Sequence, residues 1–236
     1  IVGTLLQAAI LPFTSPQQLV YSNAGAMSWM TSSVLMNTNT GGGLGKMFGR
    51  MVSGSSAFVV DYSAPQGPGT VAFTARFPGK IVPILLAAGQ SIIMQKQAFL
   101  VAEKSVELSI AFNQKLGAGF FGGEGFILQQ FTGPGLCFAE LDGEIVEYTL
   151  ASGQVMSIKA GHVAMFEPTV SFNIQMVKGF TNILFGGEGL FLATLTGPGK
   201  IWLQTMPMME LAERIAHYLP HTGGGGGEPG IRLNFG

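Results

Sequence analysis

The sequence predicts an all-β chain: three pseudo-symmetric, β-sandwich-like repeats followed by a short C-terminal helix. Three observations carry this. The stretch FGGEGFILQQFTGPG (121–135) returns as FGGEGLFLATLTGPG (185–199), identical at ten of fifteen positions at an offset of 64. Gly-Pro-Gly triplets stand at 67–69, 133–135 and 197–199, so a fainter third copy precedes the two. The segments between are short and rich in Val, Ile, Phe and Thr, with partial apolar–polar alternation, which is strand patterning.

The first repeat spans about 1–80. Its SNAGAMSWM (22–30) echoes KAGHVAMFE (159–167), and its SGSSAFVVDYSAPQGPG (53–69) echoes GGEGLFLATLTGPG (186–199). GGGLGKMFGRMV (41–52) reads as a short helical turn. The second and third repeats, about 81–145 and 146–206, open alike: AAGQSIIMQKQAFLV (87–101) aligns with ASGQVMSIKAGHVAM (151–165). In Thr-Gly-Pro-Gly, Pro fixes φ and Gly supplies a positive φ, the chemistry of a type II turn. Hairpins are therefore expected between 126–131 and 136–141, and between 190–195 and 200–205. Asp142-Gly143 marks another hairpin. PMMELAERIAHYL (207–219) reads as a helix: Pro207 suits its first turn, Met208, Leu211, Ala212, Ile215 and Leu219 line one face, and Glu210 and Arg214 form an i,i+4 pair. Pro220 stops it. Residues 1–219 thus read as one domain, with 220–236 a Gly-rich flexible tail.

Charged residues are 11% of the chain and apolar residues 47%, against a usual charged share of about a quarter. So little charge points to surface covered by other subunits or by lipid. The net charge is −1, with no Lys/Arg cluster to track phosphates, so nucleic acid is not an expected partner. The one cysteine, Cys137, excludes an intrachain disulfide and reads as an inert thiol beside a strand. IVGTLLQAAIL (1–11) is apolar but far short of the ~20 residues that span a bilayer, so membrane contact, if present, is peripheral. What precedes Ile1 is left open.

Signatures of catalysis fail in turn. Ser91 follows Gly89 but precedes Ile93 at the place of the second elbow glycine. GGGLGKM has Thr40 for the first phosphate-loop glycine and Met47 for the metal-binding Ser/Thr. Gly117-Ala-Gly119-Phe-Phe-Gly122 lacks the helix that a dinucleotide fingerprint needs. His162, His217 and His221 make no ligand set, so no metal, cofactor or catalytic residue is expected. The repeated glycine motif is a structural unit: Gly123, Glu124, Gly125, Gly133, Pro134 and Gly135, then Gly187, Glu188, Gly189, Gly197, Pro198 and Gly199. Glu124 and Glu188 are read as accepting backbone N–H groups of their own turns, not as an acid/base pair. Ser55 stands in their place in the first copy. Glu140, Asp142, Glu144 and Glu147 are read as a solvated hairpin edge. Met27, Trp29, Met30 and Met36, and Met47, Phe48 and Met51, are read as core or subunit interface.

Ala-Gly-Ala-Met (24–27), Gly-Arg-Met (49–51), the two glycine units and Trp-Leu-Gln-Thr-Met-Pro (202–207) resemble the family named for altered inheritance of mitochondria protein 24, over about 1–219. The resemblance implies a fold related to the tryptophan RNA-binding attenuator protein, with three β-sandwich-like repeats and homo-oligomeric assembly. It implies a tie to mitochondrial inner-membrane organisation in eukaryotes, and it supplies no catalytic residue. The attenuator protein's repeated basic residues are missing, so RNA binding is not carried over.

The expectation is a non-enzymatic, homo-oligomeric scaffold or interaction protein, with a trimer the first candidate. Peripheral membrane association fits the same composition. Its expected place is the cytoplasm of a prokaryote or the mitochondrion of a eukaryote, the cytoplasm being preferred. The alternative is a ligand-binding module whose pocket between repeats is anchored by Glu124 or Glu188.

Overall fold

The computed structural model describes residues 1–38, 59–114, 125–177, 191–216 and 218. They form an all-β protein with one short helix, α1 (Met208–Ala216), near the C-terminus. The strands fall into three successive sets of six. The first holds β1 (Ala8–Phe13), β2 (Leu19–Asn23), β3 (Met27–Met30), β4 (Leu35–Thr38), β5 (Val59–Ser63) and β6 (Gly69–Thr74). The second holds β7 (Gly79–Leu86), β8 (Ser91–Gln95), β9 (Phe99–Glu103), β10 (Glu107–Gln114), β11 (Phe126–Thr132) and β12 (Gly135–Asp142). The third holds β13 (Ile145–Leu150), β14 (Val155–Lys159), β15 (Val163–Phe166), β16 (Ser171–Met176), β17 (Phe191–Thr196) and β18 (Gly199–Gln204).

One pairing rule runs through all three sets. The sixth strand lies between the first and third, and the fifth lies between the second and fourth, all antiparallel. Each set is therefore two three-stranded ribbons, and each pair of ribbons encloses its own apolar core. Phe13, Tyr62 and Phe73 lie in the first core, Phe99, Phe131 and Met94 in the second, and Phe166, Leu195 and Ile201 in the third. Alternating burial in strands such as β17 follows from one face meeting this core. Neighbouring sets join edge to edge. β2 pairs with β9, and β8 pairs with β15, which turns four ribbons into two six-stranded sheets. Two ribbons, β1-β6-β3 and β14-β17-β16, remain three-stranded.

The expected hairpins at the Gly-Pro-Gly turns do not form. The strands exist, but β11 pairs with β10 and β8, while β12 pairs with β7 and β9. β17 and β18 are likewise in different sheets. Each turn instead carries the chain from one sheet of a sandwich to the other. Gly133 N–H donates to Gln90 O at 2.9 Å, and Gly197 N–H donates to Gln154 O at 2.9 Å, so each turn is tied to the preceding Ala-x-Gly-Gln turn rather than to itself. The Gly133–Pro134 and Gly197–Pro198 bonds are cis. The Asp142-Gly143 hairpin fails similarly: β13 pairs with β18, not with β12.

The helix also differs from expectation. α1 begins after Pro207 and ends at Ala216. Met208 and Ile215 of the expected apolar face are exposed, at 45% and 48%. Glu210 turns away from Arg214 to Lys159 and His162, which offer two partners on the body of the protein. The turn expected in 41–52 and the Gly-x-Gly-x-x-Gly at 117–122 lie outside the described residues.

Candidate functional site

Of the glycine-unit residues, Gly123, Glu124, Gly187, Glu188 and Gly189 lie outside the described residues, as do Ser55, Met47, Phe48 and Met51. Gly125 has φ of +86°. Gly135 and Gly199 have φ of +141° and +142°. A Cβ on Gly135 would lie 2.6 Å from Ser105 Oγ, and one on Gly199 would lie 2.5 Å from Thr169 Oγ1. Both glycines are therefore required by backbone conformation and by close approach.

A repeated carboxylate does bind these turns, but it is a different one. Glu103 Oε2 accepts from Leu136 N–H at 2.8 Å, and Glu167 Oε2 accepts from Lys200 N–H at 2.8 Å. In the first set Thr31 Oγ1 takes the same place and accepts from Thr70 N–H at 3.0 Å. A second device is also threefold: Gln18, Gln90 and Gln154 each accept, through Oε1, the N–H four or three residues earlier, of Thr14, Ala87 and Ala151. These side chains satisfy backbone donors that the turns leave unpaired. The sequence signal was the offset of 64 between Glu103 and Glu167, and between Gln90 and Gln154.

The ends of β6, β12 and β18 meet in a cleft lined by Arg76, Gln95, Glu140, Asp142, Gln204 and the start of α1. Its cavity is about 80 Å³. Here the solvated-edge reading of the acidic run fails for half of its members. Glu144 and Glu147 are exposed, but Glu140 is 6% exposed. Arg76 N–H donates to Glu140 Oε2 at 2.9 Å, the guanidinium pairs with Oε1, and Arg76 Nη2 also donates to Gln97 O at 2.7 Å. Burial pushes the Glu140 carboxyl up from its ordinary value, and the Arg76 contacts only partly offset this. Burial also raises Asp142, opposed by the Met208 N–H that its Oδ2 accepts at 2.9 Å. That bond caps the first turn of α1. Glu140 and Asp142 read as solvated because Asp142-Gly143 reads as a hairpin, and Arg76 is not singled out because its partner lies 64 residues away.

Around the cleft every polar group named has a protein partner. Gln204 Oε1 accepts from Asp142 N–H at 3.0 Å, and Gln204 Nε2 donates to Gly161 O at 2.8 Å. Gln95 Nε2 donates to Ala160 O at 3.1 Å and also to Val163 O. His162 Nδ1 lies 2.8 Å from Gln204 O, and its Nε2 lies 2.9 Å from Glu210 Oε1, which is also 2.9 Å from Lys159 Nζ. Burial would raise Glu210, but Lys159 and His162 hold it below the usual carboxylate value. His162 is thus a satisfied polar group. Among the described residues no three His, Cys, Asp or Glu side chains come together as a metal site. Cys137 is fully buried in β12, and burial pushes its thiol up to about 12, the behaviour of an inert core residue.

Of the N-terminal cluster read as core or subunit interface, Met27 packs against the first core, and the core half of the reading fails for the other three. Trp29, Met30 and Met36 are exposed, at 49%, 36% and 43%, because the outer side of β3 has no described neighbour and β4 is an edge strand. No helix among the described residues is long and apolar enough to cross a membrane.

Sixfold strand sets joined edge to edge, with a polar seam where their last strands converge, define a class of all-β repeat proteins built by internal triplication. The chain belongs to the mitochondrial biogenesis AIM24 family, whose pattern matches residues 7–206. It is 32% identical over 209 residues to an uncharacterised protein of Streptococcus pyogenes serotype M6, covering 85% of this chain and 82% of that one. Its fold is similar to the crystal structure of a Streptococcus pyogenes protein, with a TM-score of 0.73 and 26% identity, over 93% of this chain and 97% of the other. The family is described by mitochondrial biogenesis, and both of these relatives are bacterial, the first of them uncharacterised.

Proposed function

We propose that this protein is a non-enzymatic, homo-oligomeric scaffold or interaction protein. The observation that carries the reading is that Trp29 and Met30 on β3, and Leu35 and Met36 on β4, stand exposed on edge strands in a chain with only 11% charged residues. Exposed large apolar side chains on strand edges mark interaction sites. The cleft supports the non-enzymatic part. Its cavity of about 80 Å³ has room for a few waters, against the ~300–1,000 Å³ of small-molecule sites. Its ionisable groups are spent on one another and on backbone donors. Another copy of the chain is the expected partner, and nucleic acid is not. In a bacterium the reading places the assembly in the cytoplasm, and in a eukaryote in the mitochondrion.

The test is the native mass at micromolar concentration by light scattering, with and without liposomes. A closed oligomer indifferent to lipid supports the reading. A monomer indifferent to lipid overturns it. Pelleting with lipid makes the exposed apolar set a peripheral membrane contact.

A further inference from the structure

The chain forms one kind of junction twice and leaves the components of a third unjoined. At the first junction β2 pairs with β9, with Tyr21 opposite Ala102 and Ser22 opposite Val101. At the second, β8 pairs with β15, with Ile93 opposite Phe166 and Met94 opposite Met165. The repeat offsets make these the same register, since the turn glutamines that bond the same preceding N–H align Gln18 with Gln90 and Gln154. The remaining second strand is β14, and the remaining third strand is β3. Among the described residues each is bonded on one side only, β14 to β17 and β3 to β6.

Burial follows the same division. All four residues of β15 and the first four of β9 are buried, while the last three residues of β3 are exposed. A smaller contact is broken at the same place. Arg76 N–H reaches Glu140, and Asp142 N–H reaches Gln204, each from one set to the next. The equivalent Met206 N–H goes back to Asp142 O, at 3.3 Å, and no described bond joins it to Thr74. Edge strands are commonly guarded by proline or charge. β1 has Pro12, and β7 has Lys80 and Pro83, while β4 and β16 carry no such guard. β3 has neither, and the one charge of β14, Lys159, is held by Glu210.

We propose that β14 of one copy pairs antiparallel with β3 of a second copy, repeating the internal junction between chains. The register carried over puts Ser157 opposite Met30 and Ile158 opposite Trp29. The contact is head-to-tail, so it closes as a ring if its rotation allows and otherwise extends. The inference rests on the oligomeric reading above and names its surface.

Two variants, Ser157→Cys and Met30→Cys, test it. Both sites are exposed, and buried Cys137 is out of reach. Cross-strand positions meet disulfide geometry. Mixing the two variants and oxidising them should give a dominant band at twice the 24.8 kDa chain mass. Each variant alone should give little. No excess of dimer in the mixture overturns the proposal. So does a double variant that links only within one chain, which would place the third junction inside the monomer. Trp29→Lys tests the same edge without a disulfide and should lower the native mass. Native mass separates the two claims: an oligomer without the cross-link sinks this contact alone, and a monomer sinks both.

Discussion

Removing the Arg76 guanidinium should destabilise the protein, and more so at neutral than at acid pH. Arg76→Ala keeps the main-chain N–H bond to Glu140 Oε2 but deletes the guanidinium contacts to Oε1 and to Gln97 O. Glu140 is 6% exposed, so its carboxylate has little access to water to replace them. Stranding a buried charge costs about 3–5 kcal/mol, and the low end applies here because the Arg76 side chain is itself 48% exposed. About 3 kcal/mol lowers Tm by roughly 6–12 °C for a domain of this size.

The pH dependence follows from the direction of the Glu140 shift. Burial raises its folded value above the ordinary carboxylate value near ~4.3. Between those two values the folded protein binds a proton that the unfolded chain does not, so stability falls as pH rises through that window. Without Arg76 the folded value rises further and the window extends upward. The variant can then relieve its buried charge by protonation in acid. Urea unfolding at about pH 5 and pH 8 should therefore give a smaller difference from the parent at the lower pH. Glu140→Gln in the Arg76→Ala background should recover at least about 1 kcal/mol at pH 8, since a neutral amide strands no charge. An Arg76→Ala penalty that is equal at both pH values, or larger in acid, would falsify this account of the cleft.

Three further outcomes follow from the turns and the core. Gly135→Ala or Gly199→Ala should cost about 3 kcal/mol in urea unfolding, from positive φ plus the clash with Ser105 or Thr169. Gly89→Ala and Gly153→Ala, also at positive φ but facing open space, should cost only about 1 kcal/mol. Glu103→Ala should cost about 1–2 kcal/mol by orphaning the part-buried Leu136 N–H, and Glu167→Ala should cost less because Lys200 N–H can turn to water. The Cys137 thiol should stay unlabelled by a thiol reagent in the native protein and react only as the chain unfolds.

The strands were legible because their signal is local. β-rich segments, positive-φ glycines and the fixed offset of 64 are all written within a few residues of where they act. Pairing was not legible, because it depends on what lies beyond the turn. Thr-Gly-Pro-Gly has the chemistry of a tight turn, but it is not closed on itself: Gly133 is held by Gln90 and Leu136 by Glu103. Those anchors sit on the preceding Ala-x-Gly-Gln turn and at the end of β9, in the same set. They direct β12 into the opposite sheet, where it gains neighbours on both sides. A hairpin would have offered β11 and β12 only each other across that turn. Crossing over instead makes both central strands, which is where seven- and eight-residue apolar strands bury most surface.

The same reasoning explains why one acidic run divides into two kinds of residue. Glu140 and Glu147 look alike in sequence, seven positions apart, each between apolar neighbours. Glu140 falls near the end of β12, where the next residues must leave the sheet beside the end of β6, and Arg76 meets it there. Glu147 falls on β13, an edge strand, and meets only the exposed Lys200 at 3.7 Å. Placement relative to a neighbouring set decides burial, and that placement is a property of the junctions. The two formed junctions bury all of β15 and the first four residues of β9. β3 has the same position in its own set but, among the described residues, no such neighbour, and it keeps Trp29 and Met30 in solvent. Its exposure is therefore a consequence of an unfilled position in a repeating architecture, which is why a further strand is the occupant that fits it.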